Sequence, residues 1–196
     1  MSQNKVSIRE IYMNDSWETL YNDCARCNAC ALALSRTSCV FGAGSKSADL
    51  LFVGEAPGDN EDKTGTPFVG RAGKLLNEYL DAVGIERESV YIANILKCRP
   101  PKNRDPLPSE EDACIDFLHR QIALLQPKLI VCLGRVSAKR LISKSFKISQ
   151  EHGAWFDYNG VPITAVYHPA LLLRDPRKKG DMLIDMQMIS DRLKSL

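Results

Sequence analysis

The 196 residues carry 26 Lys and Arg against 24 Asp and Glu, for a formal net charge of +2, and 44% of them are hydrophobic. That balance excludes a disordered polyelectrolyte and a low-complexity chain. It fits a single globular domain, residues 1–196, with a sizeable core. The opening stretch, MSQNKVSIREIYMNDSWETL, is polar and holds acidic side chains, which argues against a signal peptide or a membrane span there.

The expected compartment is the cytoplasm. In that reducing setting seven cysteines, an odd number, point to metal binding, cluster binding or burial rather than to disulfides.

In chain order, Asp15 to Glu18 has the form of a capping box and leads into a helix that reaches the first cysteines. Asp49 to Val53 reads as a buried strand, stopped by Gly54-Glu55-Ala56-Pro57-Gly58. Ala72, Leu75, Leu76, Tyr79, Leu80 and Val83 mark one helix face, which Gly84 is placed to end. Val90 to Ala93 is a second strand, and Ser109 to Gln126 a helix with Cys114, Phe117, Leu118, Ile122 and Leu125 on one side. Leu129 to Leu133 and Pro162 to Val166 are two more strands, and Asp181 to Lys194 is a closing amphipathic helix.

Strands separated by helices pair in parallel through right-handed crossovers. The expectation is an α/β fold, a three-layer α/β/α sandwich around a central, mostly parallel four-stranded sheet. Glu55, Asn94, Arg135 and His168 each follow a strand end. In such sheets those ends share one edge, where ligands bind, so these four residues should meet.

Three thiols spaced by three, Cys24, Cys27 and Cys30, resemble the start of a ferredoxin ligand run that lacks its fourth Cys-Pro. Cys98 ends the second strand region and Cys114 opens the next helix. A Cys-x-x-Cys pair with two distant thiols suits either a tetrahedral zinc ion or a [4Fe–4S] cluster, and spacing does not choose between them. Only His119 lies near these segments, so an all-thiolate set is favoured, and Cys132 in an apolar strand reads as core. Between 128 and 148 there are six basic and no acidic residues, and Arg174, Arg177, Lys178 and Lys179 form a second basic group. Either a polyanion partner or a solvated helix face accounts for such charge.

Three segments taken with the cysteines resemble one family. They are Gly54-Glu55-Ala56-Pro57-Gly58 with Glu61-Asp62 and Gly65-x-Pro67-Phe68-Val69-Gly70-Arg71-Ala72-Gly73; Asn94 through Lys97-Cys98-Arg99-Pro100-Pro101-x-Asn103-Arg104; and His168-Pro169-Ala170-x-Leu172-Leu173-Arg174. Together they are similar to the family 4 uracil-DNA glycosylases, the iron–sulfur branch of that superfamily, from Cys27 to about Arg177.

The resemblance implies a DNA repair hydrolase that flips uracil from single- or double-stranded DNA and releases it as the free base, leaving an abasic site. It implies a monomer with no membrane partner. Arg36-Thr37 and Phe41-Gly42 align Cys27, Cys30, Cys98 and Cys114 as ligands of a [4Fe–4S] cluster and leave Cys24 and Cys39 outside, although a Cys24/Cys27 pair has the same spacing. The cluster would pack residues 15–40 onto the domain.

The resemblance further implies that Phe68 stacks on the base, that Asn94 reads its O4 and N3–H, and that His168 donates to O2. Glu61 would hold the attacking water with help from Asn103. Glu55 would wall the pocket near C5, and the two glutamates are exchangeable on this reading. Ala56 stands where other branches carry an Asp and would offer a backbone N–H. The segment Leu171 to Arg174, with Leu172 and Leu173 at its centre, would wedge into the vacated stack, and Arg174, Arg177, Lys178 and Lys179 would contact phosphates.

Residues 94–110 contain no His, so turnover rather than covalent trapping of the sugar is expected, and no active-site Lys nucleophile marks a lyase. His152-Gly153 stands where many relatives have Arg-Gly. The competing readings are a non-enzymatic, zinc-stabilised nucleic-acid-binding module and a nucleotide-binding α/β enzyme. The second is disfavoured because neither G-x-G-x-x-G nor a Walker sequence follows the first strand.

Overall fold

The computed structural model describes Tyr12 and residues 15–196. Helix α1, Trp17–Arg26, starts at Ser16, whose Oγ accepts the Thr19 N–H at 3.1 Å. The cap therefore sits one residue beyond the expected Asp15. Asp15 instead accepts from the Arg120 guanidinium, which also reaches Asp23 at 2.7 Å. This arginine ties α1 to α4, Pro108–Leu125.

The sheet has six strands: β1 Ala43–Gly44, β2 Leu50–Gly54, β3 Tyr91–Asn94, β4 Leu129–Leu133, β5 Trp155–Tyr158 and β6 Val161–Val166, in the order β1-β3-β2-β4-β6-β5. The inner four are parallel, as expected from the chain, and the expected count of four is corrected by two antiparallel edges. β1 is only two residues long, below any readable period. β5 forms a hairpin with β6 through Asn159 and Gly160, which have φ of 51° and 88°. That left-handed pair is the turn that matches strand twist.

The remaining helices are α2 Asp59–Thr64, α3 Arg71–Ala82, α5 Arg135–Leu141, α6 Ile148–Glu151, α7 Pro169–Arg174 and α8 Lys179–Lys194. β2 and β4 are buried on both faces, and their residues alternate between two cores. Leu51, Val53, Ile130 and Cys132 face Leu118 and Ile122 of α4. Leu50, Phe52, Leu129 and Val131 face Leu76 and Leu80 of α3 and Met182 and Met186 of α8. Each large apolar side chain so buried contributes about 1.5–3 kcal/mol, which is how a run without polar alternation becomes a two-sided strand. No described helix is long and apolar enough to cross a membrane.

The chain leaves β2 for β3 on one side and later places β4 on the other. The carboxyl ends at Gly54, Asn94, Leu133 and Val166 then lie along one rim, with Gly54 registered to Asn94 and Leu133 to Val166.

Candidate active site

Two backbones at the rim make room for side chains. A Cβ on Gly54 would lie 2.3 Å from Asn94 Oδ1 and 2.8 Å from the Phe68 ring, so glycine alone lets the amide and the ring share this wall. Phe68 holds a φ of +55°, a conformation that costs a bulky residue about 1–3 kcal/mol. What fixes it is visible on both sides. Glu61 Oε1 accepts the N–H groups of Val69 at 3.0 Å and Gly70 at 2.8 Å, and the Phe68 carbonyl rests against Gly73, where a Cβ would fall 1.8 Å from its oxygen.

Asn94 is 1% exposed, and neither its Oδ1 nor its Nδ2 has a hydrogen-bond partner. A buried amide left unpaired costs about 1–3 kcal/mol for each such group; the Oδ1 of this one lies at the Gly54 wall that Phe68 shares. Its backbone carbonyl accepts from Lys97 Nζ at 2.9 Å. Lys97, itself 1% exposed, also donates to Gln121 Oε1 at 2.6 Å, and Gln121 Nε2 donates to the Phe41 carbonyl at 2.8 Å. Neither Lys97 nor Gln121 was singled out from sequence as a site residue. Only a lysine inside an otherwise apolar run, Ile95-Leu96-Lys97-Cys98, marked the place.

His168 caps α7 and lies 5.7 Å from the Phe68 ring, centroid to centroid, at 37°. Its Nδ1 accepts the Ala170 N–H at 3.1 Å. The proton must then sit on Nε2, which becomes a donor. Burial and the Arg174 charge push the imidazole down to about 4, against the opposing charge of Glu61, so the ring is neutral near pH 7. Gly134 accepts the approach of His168, whose Cβ would be 2.8 Å from a Cβ there.

The other predicted residues are placed as follows. Glu55 is half-buried, and burial with the charge of Asp105 raises it to about 7 while Arg135 opposes. Arg135 itself pairs with Asp105. Ala56 packs on the α4 side of the core. Asn103 is exposed at a φ of +54°, and its Oδ1 accepts from Arg99 Nε at 2.7 Å; Arg99 in turn pairs with Asp59, fastening this loop to α2.

Leu172 is corrected. It is fully buried among Val166, Met182 and Met186, because the turn of α7 carries it inward, while Leu173 is 37% exposed. Arg174 is exposed next to it, Arg177 pairs with Asp175 at 2.8 Å, and Lys178 pairs with Asp181 at 3.3 Å. His152 is held by Asp185 at 2.7 Å and lies 4.6 Å from the Tyr167 ring, a structural setting.

The sulfurs gather on the far side of Lys97. Cys27, Cys30, Cys98 and Cys114, with Cys24, Arg36 and Phe117, border one small cavity. Arg36 donates to Cys98 Sγ at 3.2 Å and the Lys97 N–H to Cys114 Sγ at 3.3 Å. Cys24 turns differently: its Sγ lies 3.0 Å from Cys39 Sγ. Among the described residues no three Cys, His, Asp or Glu side chains stand close enough to hold a metal ion together. Cys132 is fully buried in β4, as expected of a core thiol.

The sequence profile of the Uracil DNA glycosylase superfamily matches residues 41–187. The Type-4 uracil-DNA glycosylase of Archaeoglobus fulgidus is 42% identical over 185 residues, covering 90% of this chain and 93% of its own. Those of Thermotoga maritima, 47% identical over 152 residues (76% and 79%), and Sulfurisphaera tokodaii, 41% over 186 residues (90% and 84%), are likewise similar. A rim that converges an unpaired amide, an aromatic ring and a neutral histidine, within a match spanning most of the sequence, leads to one conclusion: the chain belongs to the uracil-DNA glycosylase superfamily.

Proposed function

We propose that the protein excises uracil from DNA by hydrolysing the bond between base and deoxyribose. The observation that carries this is Asn94, whose amide is sequestered with both ends unpaired beside Phe68. Extruded uracil offers what the amide lacks: O4 accepts from Nδ2 and N3–H donates to Oδ1. Cytosine presents the reverse pattern at these two positions and leaves both amide groups opposed. Phe68 supplies a stacking face, worth about 1–3 kcal/mol per base, against the few kcal/mol that extrusion costs.

Bond cleavage develops negative charge on the base and positive charge on the sugar. Nε2–H of His168 donates to O2 as that charge grows, a role the neutral ring fills without transferring its proton. Glu61 combines two duties. Its Oε1 is committed to the loop that sets Phe68, and Oε2 is assigned to the attacking water and to stabilising the sugar cation. Glu55 is assigned to the pocket wall, with Ala56 beside it, and Asn103 to the loop that closes over the water. On the DNA face, Leu173 is the exposed apolar wedge, and Arg174, Arg177 and Lys178 take phosphates, the last two giving up surface pairs with Asp175 and Asp181.

The thiols fit a [4Fe–4S] cluster. Four of them, from three segments, border one cavity, with N–H donors aimed at two of the sulfurs. Cys27, Cys30, Cys98 and Cys114 are its proposed ligands, and when bound it supplies a cross-link among α1, the loop after β3 and α4. Hydrolysis needs only water, so the ligands act by holding Lys97 and Asn94 in place. A monomer acting in the cytoplasm is the proposed state, since an odd number of cysteines with four of them as ligands suits a reducing compartment.

The test is a single-uracil oligonucleotide, single-stranded and duplex. Release of free uracil with an abasic product supports the reading; none at any salt concentration refutes it. A colourless protein containing zinc would favour the binding-module alternative.

A further inference from the structure

Three thiols are left over once the proposed ligands are set aside: Cys132 is buried in β4, and the other two, Cys24 and Cys39, meet. Cys24 lies in the last turns of α1, buried among Leu20 and Phe41. Cys39 follows Thr37 and Ser38, whose N–H groups are both held by the buried carboxylate of Asp62 at 3.0–3.3 Å. Val40, next along, donates to the Lys97 carbonyl at 2.8 Å. Arg120 and the Ser16 cap fix α1 independently. The 3.0 Å contact between the sulfurs is thus imposed by two separately anchored segments.

We propose that Cys24 and Cys39 form a reversible disulfide that closes the loop carrying Cys27 and Cys30, so that the N-terminal ligand pair is stapled at both ends. This rests on the assignment of Cys27, Cys30, Cys98 and Cys114 as cluster ligands. The sulfurs need to close by about 1 Å to reach bonding distance. Access is asymmetric. Cys39 is half-buried and lines a broad groove with Trp17, Arg36 and Lys46, whereas Cys24 is covered.

The oxidant is a low-molecular-weight disulfide, and the two cations in the groove, Arg36 and Lys46 against the one carboxylate of Glu18, suit one bearing carboxylates. The Cys39 thiolate attacks one sulfur of that disulfide; its S–S bond breaks, and one small thiol leaves with the proton that Cys39 gave up. The Cys24 sulfur then attacks Cys39 Sγ in the mixed disulfide and expels the second small thiol, which takes the proton of Cys24. The protein loses two electrons, the small disulfide gains them, and a dithiol reverses the exchange.

The test treats anaerobic, reduced holoenzyme with oxidised glutathione, then alkylates, digests and maps the cysteines, while a chelator measures iron release. The expected result is one cross-linked peptide joining Cys24 to Cys39, several-fold slower iron release, and reversal of both by dithiothreitol. Cys24→Ser should keep its iron and trap glutathione on Cys39; Cys39→Ser should give neither adduct nor cross-link. Loss of iron in Cys24→Ser would make Cys24 a ligand and overturn the pairing. Separate alkylated peptides from the wild type would also overturn it, and cross-linking without slower iron release would overturn the stapling. Uracil release by the same samples reports separately on the proposed activity.

Discussion

Adding one methyl group at Gly54 probes the pocket without touching a reactive group. The substitution Gly54→Ala places a Cβ 2.3 Å from Asn94 Oδ1 and 2.8 Å from two Phe68 ring carbons, closer than real Cβ atoms approach. Gly54 ends a strand and its backbone has no left-handed φ, so alanine fits the local conformation and the strain falls on the amide and the ring. Clearing such contacts needs a shift of about 1 Å in one or both, costing about 1–3 kcal/mol of stability. A displacement of that size in a positioned group lowers rate by about 10²-fold. Single-turnover release of uracil from an oligonucleotide, beside thermal unfolding, separates the two effects. The expected outcome is a folded protein with release slowed about 10²-fold. Gly180→Ala, which has nothing within 4 Å, should leave release unchanged. A Gly54→Ala variant with wild-type release would refute the shared wall of Asn94 and Phe68 as the base pocket.

His168→Ala should slow release by about 10²–10³-fold, the usual loss for a donor aimed at developing charge. Because its folded pKa of about 4 lies below the ordinary value, the unfolded chain binds the extra proton between 6.5 and about 4. Stability should therefore fall as pH drops through that window, and His168→Ala should flatten the fall in urea titrations. Glu55 has the opposite sign: raised to about 7, it makes the folded state the better proton binder above its ordinary value of 4.5. Stability should decline from pH 4.5 up to about 7, and Glu55→Gln should remove that slope. Replacing both Arg174 and Arg177 by alanine should weaken duplex binding and reduce the salt slope by about 0.9 for each phosphate no longer neutralised, measured by fluorescence anisotropy.

Much of this arrangement is written locally. The apolar runs at 50–53, 91–93, 129–133 and 163–166 announce buried parallel strands, and that alone puts Asn94 and His168 on one rim. Other parts depend on tertiary context. β1 is too short to show a period. Asp15 yields the cap to Ser16 because Arg120 claims it from a distant helix, whereas the β5–β6 hairpin is local, its Asn159-Gly160 turn being legible in the sequence.

Three consecutive leucines, Leu171 to Leu173, give no periodicity, so only packing separates buried Leu172 from exposed Leu173. The burial of Lys97 follows from Gln121 and the Asn94 carbonyl, groups that sequence cannot place beside it. Likewise Cys24 and Cys39 reveal their relation only through the segments that Arg120 and Asp62 anchor. Glu61 is legible as a carboxylate in a motif, but its hold on the Val69 and Gly70 amides is a property of the folded loop.

The proposed slot for uracil is one space shared by the unpaired Asn94 amide, the Phe68 face and the Nε2 donor of His168. A crystal structure of the protein with free uracil bound tests it most directly. The expected result is the ring stacked on Phe68, O4 and N3–H bonded to the Asn94 amide, and O2 facing His168 Nε2. Uracil bound elsewhere, or seated there with the Asn94 amide still unpaired, would contradict it.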